Sequence, residues 1–99
     1  MRDLILKNII KRSAMPLAPI DGRKSFYGKC EIFSVKFDNS SGVILYSYNT
    51  PVIAVIDGNP VKLWNDWSST TGRHVNAFLS SCGLPTVTKK QWDKMPIVD

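Results

Sequence analysis

Between residues 29 and 64, short apolar runs alternate with clusters of turn formers, and this alternation constrains the fold more than any other feature. "KCEIFSVKF" is followed by "DNSSG", "VILYSYN" by a break at "NTP", "PVIAVID" by "DGNP", and "VKLW" closes the series. Short runs rich in Val, Ile, Phe and Tyr, bounded by Gly, Pro, Asn and Asp, read as strands joined by hairpins. Asp57 and Gly58 form the residue pair that two-residue hairpin turns favour, because both positions need positive φ. Pro51 has no N–H for a ladder and belongs at a strand start. Residues 52–56 are apolar throughout, which predicts the central strand, covered on both faces.

Side-chain alternation assigns faces to these strands. Phe33, Val35 and Phe37 share one side, with Ser34 and Lys36 opposite. Cys30 and Ile32 fall on that opposite phase, which predicts early burial of both faces or a bulge. Ile44, Tyr46 and Tyr48 are expected on one face and Val43, Leu45 and Ser47 on the other. In the last run Val61 and Leu63 are expected inward, Lys62 and Trp64 outward.

The flanks read as helices. Leu6, Ile9 and Ile10, with Leu4 and Ile5 widening the stripe and Asp3 as cap, predict a helix over residues 4–12. Lys7 and Lys11, four apart, would share its side. Pro16, Pro19, Gly22 and Gly28 then exclude a continuous helix, leaving a loop or extended arm that carries Arg23 and Lys24. Beyond the strands, Val75, Phe78, Leu79 and Cys82 form an amphipathic stripe, ended by Gly83 at C′ and Pro85. Thr88 and Gln91 make a capping box for a last short helix with Trp92 and Met95 on its apolar face and Pro96 at its end. The expectation is an α+β fold: an antiparallel meander of three or four strands with an N-terminal helix and two C-terminal helices packed on the sheet. The 99 residues suit one domain. Within it, residues 1–28 hold the first helix and basic loop, 29–64 the meander and 68–95 the later helices.

The net charge of +5 is unevenly spread. Residues 1–37 carry Arg2, Lys7, Lys11, Arg12, Arg23, Lys24, Lys29 and Lys36 against Asp3, Asp21 and Glu31, whereas residues 38–99 balance. A basic field at one end attracts polyanions, although the same residues also serve as a solubilising surface. No apolar run reaches membrane-spanning length, so no membrane partner is expected. The start, "MRDLILKNIIKRSAMP", is interrupted by Asp3, Lys7 and Asn8 and reads as mature structure rather than a leader. Cys30 and Cys82, far apart in a chain with an ordinary core, read as free thiols of a reducing cytosol.

"WSSTTGRHVNAF", residues 67–78, concentrates hydroxyls, a glycine, an arginine and the chain's one histidine at the start of a helix. Ser69 or Thr70 is expected as N-cap, worth about 1 kcal/mol over alanine. Thr71 and the remaining hydroxyls exceed what capping requires, and Gly72 costs a helix up to about 1 kcal/mol. A glycine there admits a close approach. With the free amides, Arg73 and His74, it reads as an anion site formed by residues 70–74. The structural alternative pairs Arg73 with Asp66 or Asp57 and has His74 bond a strand end. Tyr46 and Tyr48 are placed either to stack bases or to pack beneath a helix. Lys7, Lys11, Arg23 and Lys24 would extend the basic surface, while Trp64 and Trp67 anchor the loop before the helix. His74 lacks the companions of a zinc site, and no nucleophile elbow, phosphate-binding loop or paired-carboxylate motif occurs. The expectation is therefore a protein without enzymatic activity, cofactor or metal.

"LYSYNTPVIAVIDG", "LWNDWSSTTGRHVNAFL" and "GLP", led by "SFYGK", resemble a family of small proteins encoded by bacteriophages and mobile elements. These share a Tyr-Ser-Tyr-x-Thr strand pair, a Trp-Ser-x-Thr-Thr helix start and an Arg-His pair, over about residues 25–86 here. The resemblance implies a phage origin and a bacterial cytoplasm, and brings no activity with it. Small phage proteins without catalytic motifs are often binders that disable a host defence, anti-CRISPR proteins among them. Those that imitate DNA are acidic. This basic chain is instead expected to engage nucleic acid or a host nucleoprotein, guide RNA included. The competing expectation is a protein–protein inhibitor acting through an apolar and aromatic surface; a nucleotide-binding or catalytic domain comes third.

Overall fold

The structure is a computed structural model and describes residues 1–17 and 29–98. Arg23, Lys24 and most of the loop assigned to residues 13–28 lie outside the described residues. In chain order the elements are α1 (Arg2–Lys7), β1 (Ile9–Pro16), β2 (Cys30–Phe37), β3 (Ser40–Ser47), β4 (Thr50–Ile56), β5 (Asn59–Lys62), α2 (Ser69–Ser81) and α3 (Lys89–Lys94). The strands form one sheet in the order β1-β2-β3-β4-β5, with every neighbouring pair antiparallel. The fold is α+β, as the sequence predicts, but the sheet has five strands rather than three or four, and β3, not β4, lies in its middle.

The extra strand comes from residues assigned to helix. The first helix stops at Lys7, where the Asn8 side chain donates to the Leu4 carbonyl at 2.7 Å. Ile9 and Ile10 are β-branched neighbours that suit extended backbone, and they pair with Val35 and Ser34. The register then shifts, and Met15 and Pro16 face Ile32 and Glu31. Across this irregularity the Ser34 amide donates to Ser13 Oγ at 2.7 Å, so a side chain supplies an acceptor that the ladder does not. Lys7 and Lys11 consequently sit on different elements instead of one helix face.

Three two-residue turns join β2 to β5. The turn after β3 is made by Tyr48 (φ 52°) and Asn49 (φ 71°), both left-handed. Tyr48 therefore leaves the strand and does not share the face of Ile44 and Tyr46. β2 and β3 pair without interruption from Cys30 with Ser47 to Phe37 with Ser40, so the apolar phase of Cys30 and Ile32 marks two covered faces, not a bulge in this pair.

Each face of the sheet has its own core. On one, Leu45, Ile53 and Val55 pack with Val75, Phe78 and Leu79 of α2 and Trp92 of α3. On the other, Ile5 of α1 packs with Val35, Phe37, Ile44, Ala54, Ile56 and Leu63. Both covers meet β4, which explains its unbroken apolar run. The same arrangement corrects the reading of Lys62. Its "outward" face is the core beneath α2 and α3, where it stands opposite Ile53, and the residue is 1% exposed. The ammonium donates to the carbonyls of Trp92 at 2.7 Å and Met95 at 3.1 Å and lies 5.0 Å from the Trp92 ring centroid. It thereby gives a donor to the Met95 carbonyl beyond α3 and a second donor to the Trp92 carbonyl, which also accepts the Met95 amide at 3.1 Å. Ile97 bridges to Lys62 in parallel, and the Val98 amide donates to the Lys62 carbonyl at 3.0 Å, so the tail lies along β5.

The helix ends follow their signals. Gly83, φ 75°, closes α2, with its amide on the Ser80 carbonyl and the Leu84 amide on the Leu79 carbonyl. Thr88 and Gln91 form the capping box of α3.

Candidate nucleic-acid interface

The hydroxyl-rich start of α2 is consumed largely by the fold. Ser68, rather than Ser69 or Thr70, is the N-cap: its Oγ accepts from the Thr71 amide at 3.1 Å and bonds to Thr71 Oγ1 at 3.1 Å. Thr71 is buried. Gly72 is needed because a Cβ there would lie 2.4 Å from Cζ2 of Trp67, so the close approach is made by the protein's own indole. That indole in turn lies 5.7 Å from the Trp92 ring, whose Nε1 donates to the Asp66 carbonyl at 2.8 Å.

His74 is 1% exposed, and its Nδ1 shares a 2.7 Å hydrogen bond with Ser47 Oγ. Burial, reinforced by the neighbouring Arg73 cation, holds its pKa below the ordinary 6.5 and the ring neutral at pH 7. Thr70 and Arg73 are half-buried, and Arg73 is already engaged in an interaction. Thr71, Gly72 and His74 thus face inward and are not offered to a partner.

A different cluster is offered. Alternation along β2 and β3 aims Glu31, Phe33, Ile44 and Tyr46 at the face that carries α1. α1 is only six residues long, and Ile5 seals the end of that face around Val35 and Phe37. The other end stays accessible. There Phe33 and Tyr46 meet edge to face, their centroids 5.3 Å apart at 77°. Two shallow cavities, of about 260 and 210 Å³, share Phe33, Tyr46 and Asn49 and so make one groove. Lys29, Glu31 and Tyr48 complete the first, and Ile9 and Lys11 the second.

Tyr48, 52% exposed, stands at the rim. Its ring packs 5.8 Å from that of His74, and Lys29 Nζ lies 5.8 Å from its centroid. The buried His74 therefore contributes indirectly, by propping a rim aromatic. Arg2 bonds the Leu63 carbonyl and is close enough to Tyr46 to pull its phenol pKa down against the burial that raises it above 10.0. Two cations, Lys11 and Lys29, thus line the groove with the aromatic pair, Arg2 acts on Tyr46 from nearby, and Glu31 is the carboxylate that lines the groove.

Of the residues singled out from sequence, the structure brings Tyr46, Tyr48 and Lys11 to this groove, while Lys7 stays exposed on α1. Lys29, Glu31, Phe33 and Asn49 were not singled out as a site. The alternation in "CEIFSVKF" put Phe33 on a definite face, but only the pairing of Glu31 with Tyr46 brings the two strands' contributions together. Cys30 and Cys82 are free thiols; burial pushes Cys30 up to about 11. Among the described residues, no three His, Cys, Asp or Glu side chains gather as ligands for a metal ion.

Fold and groove together define a small α+β domain whose sheet presents an aromatic, cation-edged face. The chain belongs to the family of unknown function DUF8033, which matches residues 15–94 and so spans β2 and β3, though not Ile9 and Lys11 of β1. No curated protein and no solved structure matches it. No helix among the described residues is long and apolar enough to cross a membrane.

Proposed function

We propose that this chain is a non-enzymatic binding protein that holds a single-stranded nucleic acid, free or within a nucleoprotein, in the groove between Phe33, Tyr46 and Tyr48. The observation that carries the reading is the Phe33–Tyr46 pair in a groove lined by Lys11 and Lys29, with Arg2 close enough to act on the Tyr46 phenol. Unstacked bases dock on aromatic rings while cations track the backbone, each stacked base contributing about 1–3 kcal/mol. Tyr48 supports the reading as well. A tyrosine in left-handed backbone is uncommon, and such outliers concentrate where a side chain is needed for function.

The likeness of "YSYNTP" and "WSSTTGRH" to proteins of bacteriophages supports a setting in the cytoplasm of a bacterial host. There, occupation of an RNA or nucleoprotein would make the chain an inhibitor of a defence system, of the anti-CRISPR kind.

Fluorescence anisotropy with labelled single strands of about ten nucleotides tests the binding, across 50 to 200 mM salt. Binding that weakens with salt and drops about tenfold or more in Tyr46→Leu or Phe33→Leu is expected. Affinity indifferent to both substitutions would remove the groove from consideration. Affinity for a host protein that is unchanged by salt and by nuclease treatment would replace the nucleic acid with a protein partner.

A further inference from the structure

We infer that Glu31 makes the groove selective for guanine, an assignment that rests on the single-strand reading above. Glu31 pairs directly with Tyr46 across β2 and β3. Opposed residues on one face of an antiparallel pair have Cβ atoms about 5 Å apart. A base lying on the Tyr46 ring therefore extends its edge over the Glu31 carboxylate. Glu31 is half-buried and lines the same cavity as Phe33, Tyr46 and Asn49. Among the described residues its carboxylate has no hydrogen-bond or ion-pair partner, and the cavity it lines puts it beside whatever occupies the groove.

An acid at this place runs against the charge of its surroundings. Lys29 and Lys11 suit phosphates, whereas a carboxylate repels them and accepts only from N–H or O–H groups. The base edges differ in what they return. Guanine presents N1–H and the N2 amino group side by side, two parallel donors matched to the two carboxylate oxygens. Adenine and cytosine present one amino donor beside a ring-nitrogen acceptor, and thymine or uracil one N–H between two carbonyls. Each of these three sets a lone pair against an oxygen of Glu31, which is repulsive. Selection thus comes both from the bidentate bond to guanine and from rejection of the other bases. Asn49, with a carbonyl and an amide at the same cavity, completes a polar wall that meets the base edge while the rings meet its face.

The test compares thymine-only ten-nucleotide strands with strands in which one central position is guanine, inosine or adenine. Inosine keeps N1–H and lacks the N2 amino group. The parent protein is expected to bind the guanine strand about tenfold more tightly than the inosine or adenine strand. In Glu31→Gln the guanine preference is expected to fall to less than about twofold, while the thymine-only strand binds slightly more tightly because a negative charge has gone. Equal affinity of the parent for guanine and inosine strands overturns the assignment without use of any variant. A preference that survives intact in Glu31→Gln also overturns it. In either case the groove itself stands, provided Tyr46→Leu weakens every strand. Absence of binding to all four strands overturns both the groove and the selector.

Discussion

Ser47 Oγ lies 2.7 Å from His74 Nδ1, and this bond joins the inner face of β3 to the first turns of α2 with both residues buried. It ties the start of the helix to the strand that carries Tyr46. Removing the hydroxyl leaves a buried ring nitrogen without this partner. Ser47→Ala is therefore expected to cost about 1–3 kcal/mol in a denaturant titration.

The same pair sets a pH dependence. Burial and Arg73 keep the folded-state pKa of His74 below 6.5, so in the window beneath that value the unfolded chain binds the extra proton first. Stability is thus full above about pH 6.5 and declines as the pH falls from there through the folded-state pKa, with a slope of at most about 1.4 kcal/mol per unit. Asp57, held below 3.8 by the Ser40 side chain and the Ser41 amide, acts in a separate, more acidic window. Urea midpoints between pH 7 and 5 check the sign. His74→Asn should flatten this region, and a parent protein whose midpoint does not move there contradicts the account.

Gly72→Ala improves helix propensity by up to about 1 kcal/mol yet is expected to lower stability by about 1–3 kcal/mol. The added methyl would meet Cζ2 of Trp67 at 2.4 Å. Thermal melts of Gly72→Ala, Trp67→Leu and the double variant give the coupling; the alanine should cost less once the indole is gone.

Lys62→Met keeps the aliphatic stem but removes the ammonium donor from the Met95 carbonyl and one of two donors from the Trp92 carbonyl. A loss of about 1–3 kcal/mol is expected, with faster amide exchange across α3 as the local signature. An unchanged midpoint would mean that the ammonium contributes nothing net against its burial.

Binding should also carry a salt signature. If Arg2, Lys11 and Lys29 each neutralise a phosphate, the logarithm of affinity falls with the logarithm of salt at a slope of about −2 for a single strand. Lys29→Gln and Lys11→Gln should each lower that slope by about 0.7. Lys7→Gln, on the exposed face of α1, should change it less.

Local signals carried most of the fold. The caps at Thr88 and Gly83, the turn at Asp57 and Gly58 and the stripe from Val75 to Cys82 each work within a few residues, and each was legible. β1 was not, because Ile9 and Ile10 satisfy a helical stripe as well as a strand, and its register shift at Ser13 destroys any period. Lys62 misled because alternation identifies a second face without saying what covers it. The start of α2 misled more deeply: its polar residues read as ligands for something foreign, whereas Trp67, Ser47 and Ser68 are what they meet. The groove depends on which residues of β2 and β3 stand opposite one another, and no single strand's sequence states that register.

Because each strand from β3 to β5 pairs with the one before it across a two-residue turn, this part of the sheet can assemble progressively, each hairpin closing a short loop, while β1 must close the longer connection of residues 17–29. Such a sequential search is entropically cheap for a β-rich chain, and refolding in a stopped-flow instrument is expected on a scale of milliseconds rather than many seconds. The helices then dock on a template that already exists, so substitutions in the turns should alter the rate of folding and those in α3 chiefly the rate of unfolding.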